Sequence, residues 1–205
     1  YKTDMFHATQ IPPQHSAELI APEHLFFISI DTLRPDFLGC YGNPNVHTPN
    51  IDRLARVGQQ FRQCVVPLGR TNPSVASMMT SLYPHEHTVR ALWDKLPQEF
   101  ETLAERMKGA GFITTFVNGN SLLNPQSGIT QGFDTYQGPR SGIVSFFKPD
   151  STPVKRDRQP REGWKAKRIT RTAIEELNQM EAGAQIFLWT HFMDPHWSYS
   201  PPQPF

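Results

Sequence analysis

Apolar runs alternating with helical patterns predict an α/β protein: a mostly parallel central sheet with helices on both faces. Three observations carry that prediction. Residues 24–30 read His24-Leu25-Phe26-Phe27-Ile28-Ser29-Ile30, a near-continuous apolar run of the kind found in a strand buried on both faces. Later apolar runs are separated from it by helical patterns that have starting caps and closing glycines. Chemistry-bearing residues also gather at the ends of these runs, where open parallel sheets bind their ligands. At 205 residues the chain can bury a substantial single core. Its 38% hydrophobic and 19% charged residues mark it as globular, and a net charge of +1 argues against a broad nucleic-acid-binding surface. No apolar run reaches the roughly 20 residues of a membrane-crossing helix.

Residues 1–22 are polar, contain Pro12-Pro13 and read as an N-terminal arm. The first strand, 24–30, ends on Asp31 and leads into a loop marked by Gly39, Gly42, Pro44 and Pro49. Thr48 or Asn50 then caps a helix to about Val57, with Ile51, Leu54 and Ala55 on one face and Gly58 at its end. Residues 61–66 read as a second strand. Thr71 follows, with Pro73 in the first turn of a helix of small residues over 75–82. Residues 99–108 form an amphipathic helix closed by Gly109 and Gly111, and 112–117 a third strand. Residues 139–161, rich in Pro, Lys, Arg and Ser, read as an exposed insertion. A long helix over 162–181 turns Ile169, Ala173, Ile174 and Leu177 inward, and a fourth strand, 186–190, ends at His191. Cys40 and Cys64 are either one disulfide or two thiols, and a domain of this size does not need the staple.

The candidate chemistry lies at the strand ends. Asp31 is a hard oxygen donor suited to Mg²⁺, Mn²⁺ or Ca²⁺ and acceptable to Zn²⁺; a turn cap is the other reading. Thr71 stands where a helix N-terminus favours an anionic ester and where a metal would activate its hydroxyl. An ordinary helix cap is the competing reading, and the two are compatible. His196 is placed to protonate a leaving group or hold a non-bridging oxygen; His191 does the same or buttresses the loop. His85-Glu86-His87 looks like a metal cluster, but adjacent turn residues rarely share a ligand direction, so it reads as structural. Arg34 and Arg90 are either an anion clamp or surface charges.

The order of motifs resembles the sulfatases of the alkaline phosphatase superfamily. The stretch Asp31-Thr32-Leu33-Arg34-Pro35-Asp36-Phe37-Leu38-Gly39-Cys40-Tyr41-Gly42 is similar to their opening motif. Thr48-Pro49-Asn50-Ile51-Asp52 looks like the helix that follows it, and residues 71–87 are similar to the nucleophile segment. Gln131-Gly132-Phe133-Asp134 and Asp194-Pro195-His196 match later landmarks, so the resemblance covers about residues 24–205. It implies an alkaline-phosphatase-like α/β sandwich with a divalent metal ion at the carboxyl edge of the sheet, and a hydrolase acting on sulfate or phosphate esters. By resemblance Asp31 is a metal ligand, Thr71 the nucleophile and a second metal contact, and His196 the active-site histidine; Asn72, beside the nucleophile, contacts substrate oxygen.

The departures narrow the chemistry. Sulfatases proper oxidise a Cys or Ser to formylglycine, which Thr71 cannot become. The usual following Arg is Val75, the second acid of the opening pair is Thr32, and Asn118-Gly119-Asn120-Ser121 stands where a Lys-x-His motif is expected. A Thr nucleophile resembles instead the superfamily's phosphodiesterases and phosphotransferases, such as phosphoethanolamine transferases, which pass through a phospho-enzyme. The remaining alternative is a non-catalytic descendant of the fold. No Ser-Asp-His-Gly-like motif supplies the later metal ligands, and the chain starts at Tyr1 and stops in Pro201-Pro202-Gln203-Pro204-Phe205. The expectation is therefore an N-terminal portion of a catalytic domain over 23–205. A C-terminal remainder, in the same protein or on another chain, would complete the site. The substrate is a small-molecule, glycan or lipid ester. Compartment is open, with export or the periplasm as a family tendency only.

Overall fold

The computed structural model describes residues 23–139 and 164–197. The arm at 1–22 and the insertion from 140 onward lie outside the described residues. The principal elements are β1 (His24–Ile30), α1 (Pro49–Val57), α2 (Thr71–Thr80), α3 (Leu103–Gly109), β2 (Ile113–Asn118), β3 (Thr135–Gln137), α4 (Ala166–Asn178) and β4 (Ile186–Phe192). Among the described residues the strands form one sheet in the order β1-β4-β2-β3, every pair parallel.

Register organises one face of this sheet in layers. Phe27 lies opposite Trp189, and Trp189 opposite Phe116. One pleat further on, Ser29 lies opposite His191, and His191 opposite Asn118. Because side chains alternate across a strand, both rows point to the same side. The lower row is aromatic: the Phe116 and Trp189 rings stack 3.8 Å apart, with Phe27 5.7 Å from Trp189. The upper row is polar and leads to Asp31. Helices α2 and α3 cover this face, placing Val75, Ala76, Met79 and Ala104 against Phe116, Phe187 and Trp189. On the other face Ile169 and Ala173 of α4 pack on Val117, Ile186 and Leu188. Helices on both faces of a parallel sheet are what the alternation of elements predicted.

Local chemistry sets the helix boundaries. Helix α3 begins at Leu103 rather than at residue 99, because Thr102 and Glu105 form a reciprocal capping box. Helix α4 lacks a side-chain cap at Lys165; Asp194, two residues beyond β4, accepts the Ala166 N–H at 2.7 Å. Before α1, Asp52 accepts the Cys40 N–H at 2.7 Å and Thr48 the Gly39 N–H at 2.9 Å. A Cβ on Gly39 would stand 2.6 Å from Asp52 Oδ2, so a larger residue here would push on the carboxylate that holds the Cys40 N–H.

Four expectations are corrected. Residues 61–66 form no strand, and Phe61, Val65 and Val66 are exposed. Apolar content does not make a strand without a ladder partner, so Thr71 is reached from a loop. The face of α1 carrying Ile51 and Leu54 is not buried against the described residues, since α1 has no buried residue. Strand β4 runs two residues past 190, so His191 lies inside the strand rather than after it. The short β3 pairs beside β2 and was not anticipated, its three residues being too few to show a period. Cys40 and Cys64 are free thiols.

His87 serves the core, as its turn position suggested. It is fully buried, its Nδ1 accepts the Val89 N–H at 3.2 Å, and its Nε2 lies 2.9 Å from Ser77 Oγ. Burial holds the imidazole below its ordinary value. The unfolded chain therefore binds more protons just below pH ~6.5, and stability contributed above that pH is lost as pH falls toward the folded value. Urea unfolding at stepped pH should show this slope, at most about 1.4 kcal/mol per pH unit from one group. His87→Gln should remove it.

Candidate active site

Asp31 leaves the sheet one residue after β1, its N–H still donated to Phe192 O at 2.8 Å. The next residue, Thr32, has φ +56°, an uncommon conformation for a β-branched side chain and a local cost at the sheet edge. Three groups converge on Asp31 Oδ2. Asn120 Nδ2 donates to it at 2.9 Å, the Thr71 hydroxyl at 3.4 Å, and His191 Nε2 lies 3.5 Å away. The Asp31 side chain is only 12% exposed. Burial opposes its ionisation, but His191, the charge of His196 and the Asn120 hydrogen bond together outweigh it. The carboxyl is held below its ordinary value.

Thr71 is the first residue of α2. Arg70 is the cap residue and makes no side-chain cap bond. The Thr71 hydroxyl is thus turned to Asp31 rather than spent on capping. The Ser74 N–H already bonds to Arg70 O, and Pro73 has no N–H, so the Thr71 and Asn72 amides are the first-turn donors at the positive end of the helix.

Asn120 was missed as a site residue. It arrives through Gly119, whose N–H bonds to His191 O at 2.9 Å and whose Cβ, if present, would meet Ile169 Cδ1 at 2.8 Å and Trp164 O at 2.9 Å. Asn120 Oδ1 accepts the Leu122 N–H at 2.9 Å, which orients the amide nitrogen toward Asp31. Asn118 ties the same loop, donating to Asn120 O and Leu123 O at 2.7 and 2.9 Å. Ser29 was also missed: its Oγ lies 2.7 Å from His191 Nδ1 and accepts from Trp189 Nε1 at 2.8 Å. The available signal was spacing, since Ser29 stands two residues before Asp31 and so on the same strand face.

The other anticipated residues divide. His191 joins Asp31 but is 3% exposed, so it faces the carboxylate and not open space. His196 lies in the turn beyond β4, with Nδ1 2.6 Å from Trp197 O; a carbonyl can only accept, so Nδ1 carries a proton. The Asn72 side chain is buried and donates to Asp94 O at 3.3 Å, which turns its amide toward the neighbouring loop. Arg34 pairs with Asp36 and Arg90 donates to His85 O, so neither joins the cluster.

An ionised Asp31 and the Thr71 hydroxyl are hard oxygen donors and fit one side of the shell of a divalent cation. Among the described residues no group of three or more His, Cys, Asp or Glu side chains is placed to hold a metal ion. No helix of the described residues is long and apolar enough to cross a membrane.

Known proteins resemble this chain in sequence and in fold. The family model described as Sulfatase matches residues 23–205. Human arylsulfatase A is 31% identical over 151 residues, covering 64% of this chain and 29% of that protein. The bovine arylsulfatase A is 35% identical, covering 65% and 29%. N-acetylglucosamine-6-O-sulfatase of Bacteroides thetaiotaomicron is 23% identical, covering 87% and 31%. Among solved structures, the phosphonate monoester hydrolase of Agrobacterium radiobacter superposes with a TM-score of 0.69 at 22% identity, covering 88% of this chain and 42% of that one. A putative sulfatase from Bacteroides thetaiotaomicron gives 0.62 at 21% identity, covering 84% and 35%. The chain spans about three-tenths of the length of these curated relatives.

Asn120→Ala removes the shortest side-chain hydrogen bond to the Asp31 carboxylate, together with the Leu122 N–H bond to a buried Oδ1. Ester turnover by the longest natural form of the protein should fall about tenfold or more, as when a ligand's supporting partner is removed. The Leu122 N–H loses its acceptor at a cost of about 1 kcal/mol, a shift of a few degrees in thermal unfolding, and kinetics beside circular dichroism check both.

Proposed function

This chain belongs to the sulfatase family, and on that premise we propose that it carries the nucleophile half of a metal-dependent hydrolase of sulfate or phosphate esters. Thr71 is the nucleophile. The observation that carries this reading is the Thr71 hydroxyl at the first position of α2, turned to Asp31 and not consumed by capping.

Asp31 and Thr71 would hold a divalent cation, Mg²⁺, Mn²⁺ or Ca²⁺, with Zn²⁺ also accommodated. Such an ion lowers the pKa of a bound hydroxyl and neutralises charge on ester oxygens. Asp31, kept ionised, is a poor proton acceptor and a good ligand. The amides of Thr71 and Asn72, at the positive end of α2, face a developing anion; Asn72 acts through its backbone. Thr71 Oγ, its proton released to solvent, forms a bond to phosphorus or sulfur as the bond to the departing alcohol breaks. Protonated His196 gives that alcohol its proton. Water then attacks the Thr71 ester and releases phosphate or sulfate. A second alcohol in place of water makes the same site a phosphotransferase.

Thr71 argues for phosphate over sulfate. A formylglycine hydrate can expel sulfate with its second hydroxyl, whereas a threonine ester must be cleaved at phosphorus or sulfur, a step well suited to phosphothreonine.

The rest of the centre comes from outside the described residues. Phe26 and Ile28 on the edge strand β1 are 52% and 59% exposed, and the apolar side of α1 is open. Parallel strands are normally covered on both faces. A further part of the polypeptide, or another chain, covers this surface and brings the missing ligands.

The longest natural form should be assayed with aryl sulfate, phosphate monoester and phosphodiester under each cation, with added alcohols, beside Thr71→Ala. The expected result is phosphoester turnover reduced at least a thousandfold in the variant. Undiminished turnover in the variant removes Thr71 from the chemistry. The 205-residue chain alone should bind metal weakly by calorimetry, and tight one-to-one binding would contradict the half-site.

A further inference from the structure

Beneath Asp31, three side chains from two strands form a continuous polar line. The Trp189 indole, which can only donate, gives its Nε1–H to Ser29 Oγ at 2.8 Å. Ser29 Oγ lies 2.7 Å from His191 Nδ1. With one lone pair taken by the indole, the serine hydroxyl has a single hydrogen to place, and Nδ1 is the acceptor within reach. His191 Nδ1 is therefore bare and the ring proton sits on Nε2. His191 is 97% buried by its 3% exposure, and its Nε2 has no partner at hydrogen-bond length; the group it faces is Asp31 Oδ2 at 3.5 Å. The opposite tautomer would aim a lone pair at a carboxylate and crowd two N–H donors onto one serine oxygen, leaving the serine hydrogen unplaced.

We propose that Ser29 and His191 are positioning residues that fix the imidazole tautomer. The Nε2–H, together with Asn120, then holds Asp31 Oδ2 in place beside Thr71. Trp189 anchors the line from the aromatic layer below. Register supplies it directly, because Ser29 and His191 are opposed in the β1–β4 ladder and Trp189 lies two residues before His191 on the same face. An imidazole N–H held toward the carboxylate also contributes an oriented dipole, which favours the ionised acid in a half-buried place. The consequence for catalysis rests on the proposed function; the tautomer does not.

The test is long-range ¹H–¹⁵N NMR of the histidine-labelled, longest natural form, with His191 assigned by His191→Gln. The expected spectrum shows His191 protonated at Nε2 and bare at Nδ1. Ser29→Ala should lose that preference and lower kcat by about tenfold, with KM little changed; Ser29→Thr, which keeps the hydroxyl, should restore both. Trp189→Phe, which keeps the ring and removes the indole N–H, is the second probe should Ser29→Ala fail to fold, and it should loosen the tautomer. A wild-type ring protonated at Nδ1 would overturn the proposal, as would a Ser29→Ala spectrum and kcat identical to wild type. If the tautomer and its dependence on Ser29 hold but no ester is turned over, the proposed reaction fails and the positioning line stands.

Discussion

The parallel register of β1, β4 and β2 is the constraint on which the rest depends. It sets Phe27, Trp189 and Phe116 in one row and Ser29, His191 and Asn118 in the next, so an aromatic floor directly underlies a polar tier. Asp31 and Asn120 follow as the next step off the same strands. A slip of one residue in β1 would turn Ser29 toward α4 and separate Asp31 from His191. The close aromatic stacking below thus acts on the chemistry above, because it pins the register by packing.

Burial and charge pull in opposite directions at Asp31. Burial alone would raise the acid's pKa and disfavour its ionised, ligating form. The Asn120 amide and the two histidines offset that cost, leaving an ionised carboxylate next to a hydroxyl at a helix N-terminus. The strained Thr32, which stands where the family has a second acid, means that the chain spends one acid and conformational energy here rather than two acids. Thr71 shifts the chemistry in the same way. Its β-methyl excludes the aldehyde route of the sulfatases, but its hydroxyl is well suited to forming and losing a phosphoryl group. Under the proposed function, family membership and the ester cleaved are separate questions, and the second turns on a single side chain.

Much of this was legible in the sequence. The apolar run at 24–30 is a strand with those bounds, but not one buried on both faces as its composition suggested: among the described residues it is an edge strand, with His24, Phe26 and Ile28 exposed. Thr102 and Glu105 set the start of α3 by a cap that the sequence carries but that a periodicity count overlooks. Residues 61–66 were misread because apolar composition says nothing about a ladder partner. Asp31 and Thr71 could be picked out by type and position, and the structure brings them together. Asn120 and Ser29 could not be picked out by residue type, although spacing puts Ser29 on the Asp31 face of its strand and the 118–121 stretch stands where the family carries a motif. Asparagine and serine are common in loops and at strand ends, and their roles here come from where a neighbouring strand places His191 and Asp31. His191 was identified but its surroundings were not, since strand length decides whether it faces substrate or the inner wall.

High-resolution mass spectrometry of Thr71 tests the central claim most directly. The longest natural form would be mixed with aryl phosphate and aryl sulfate in turn, quenched with acid during turnover, and the peptide containing Thr71 examined. The account predicts a covalent ester on Thr71, phosphoryl rather than sulfuryl, absent from Thr71→Ala. Steady turnover with Thr71 unmodified, undiminished in Thr71→Ala, would contradict it.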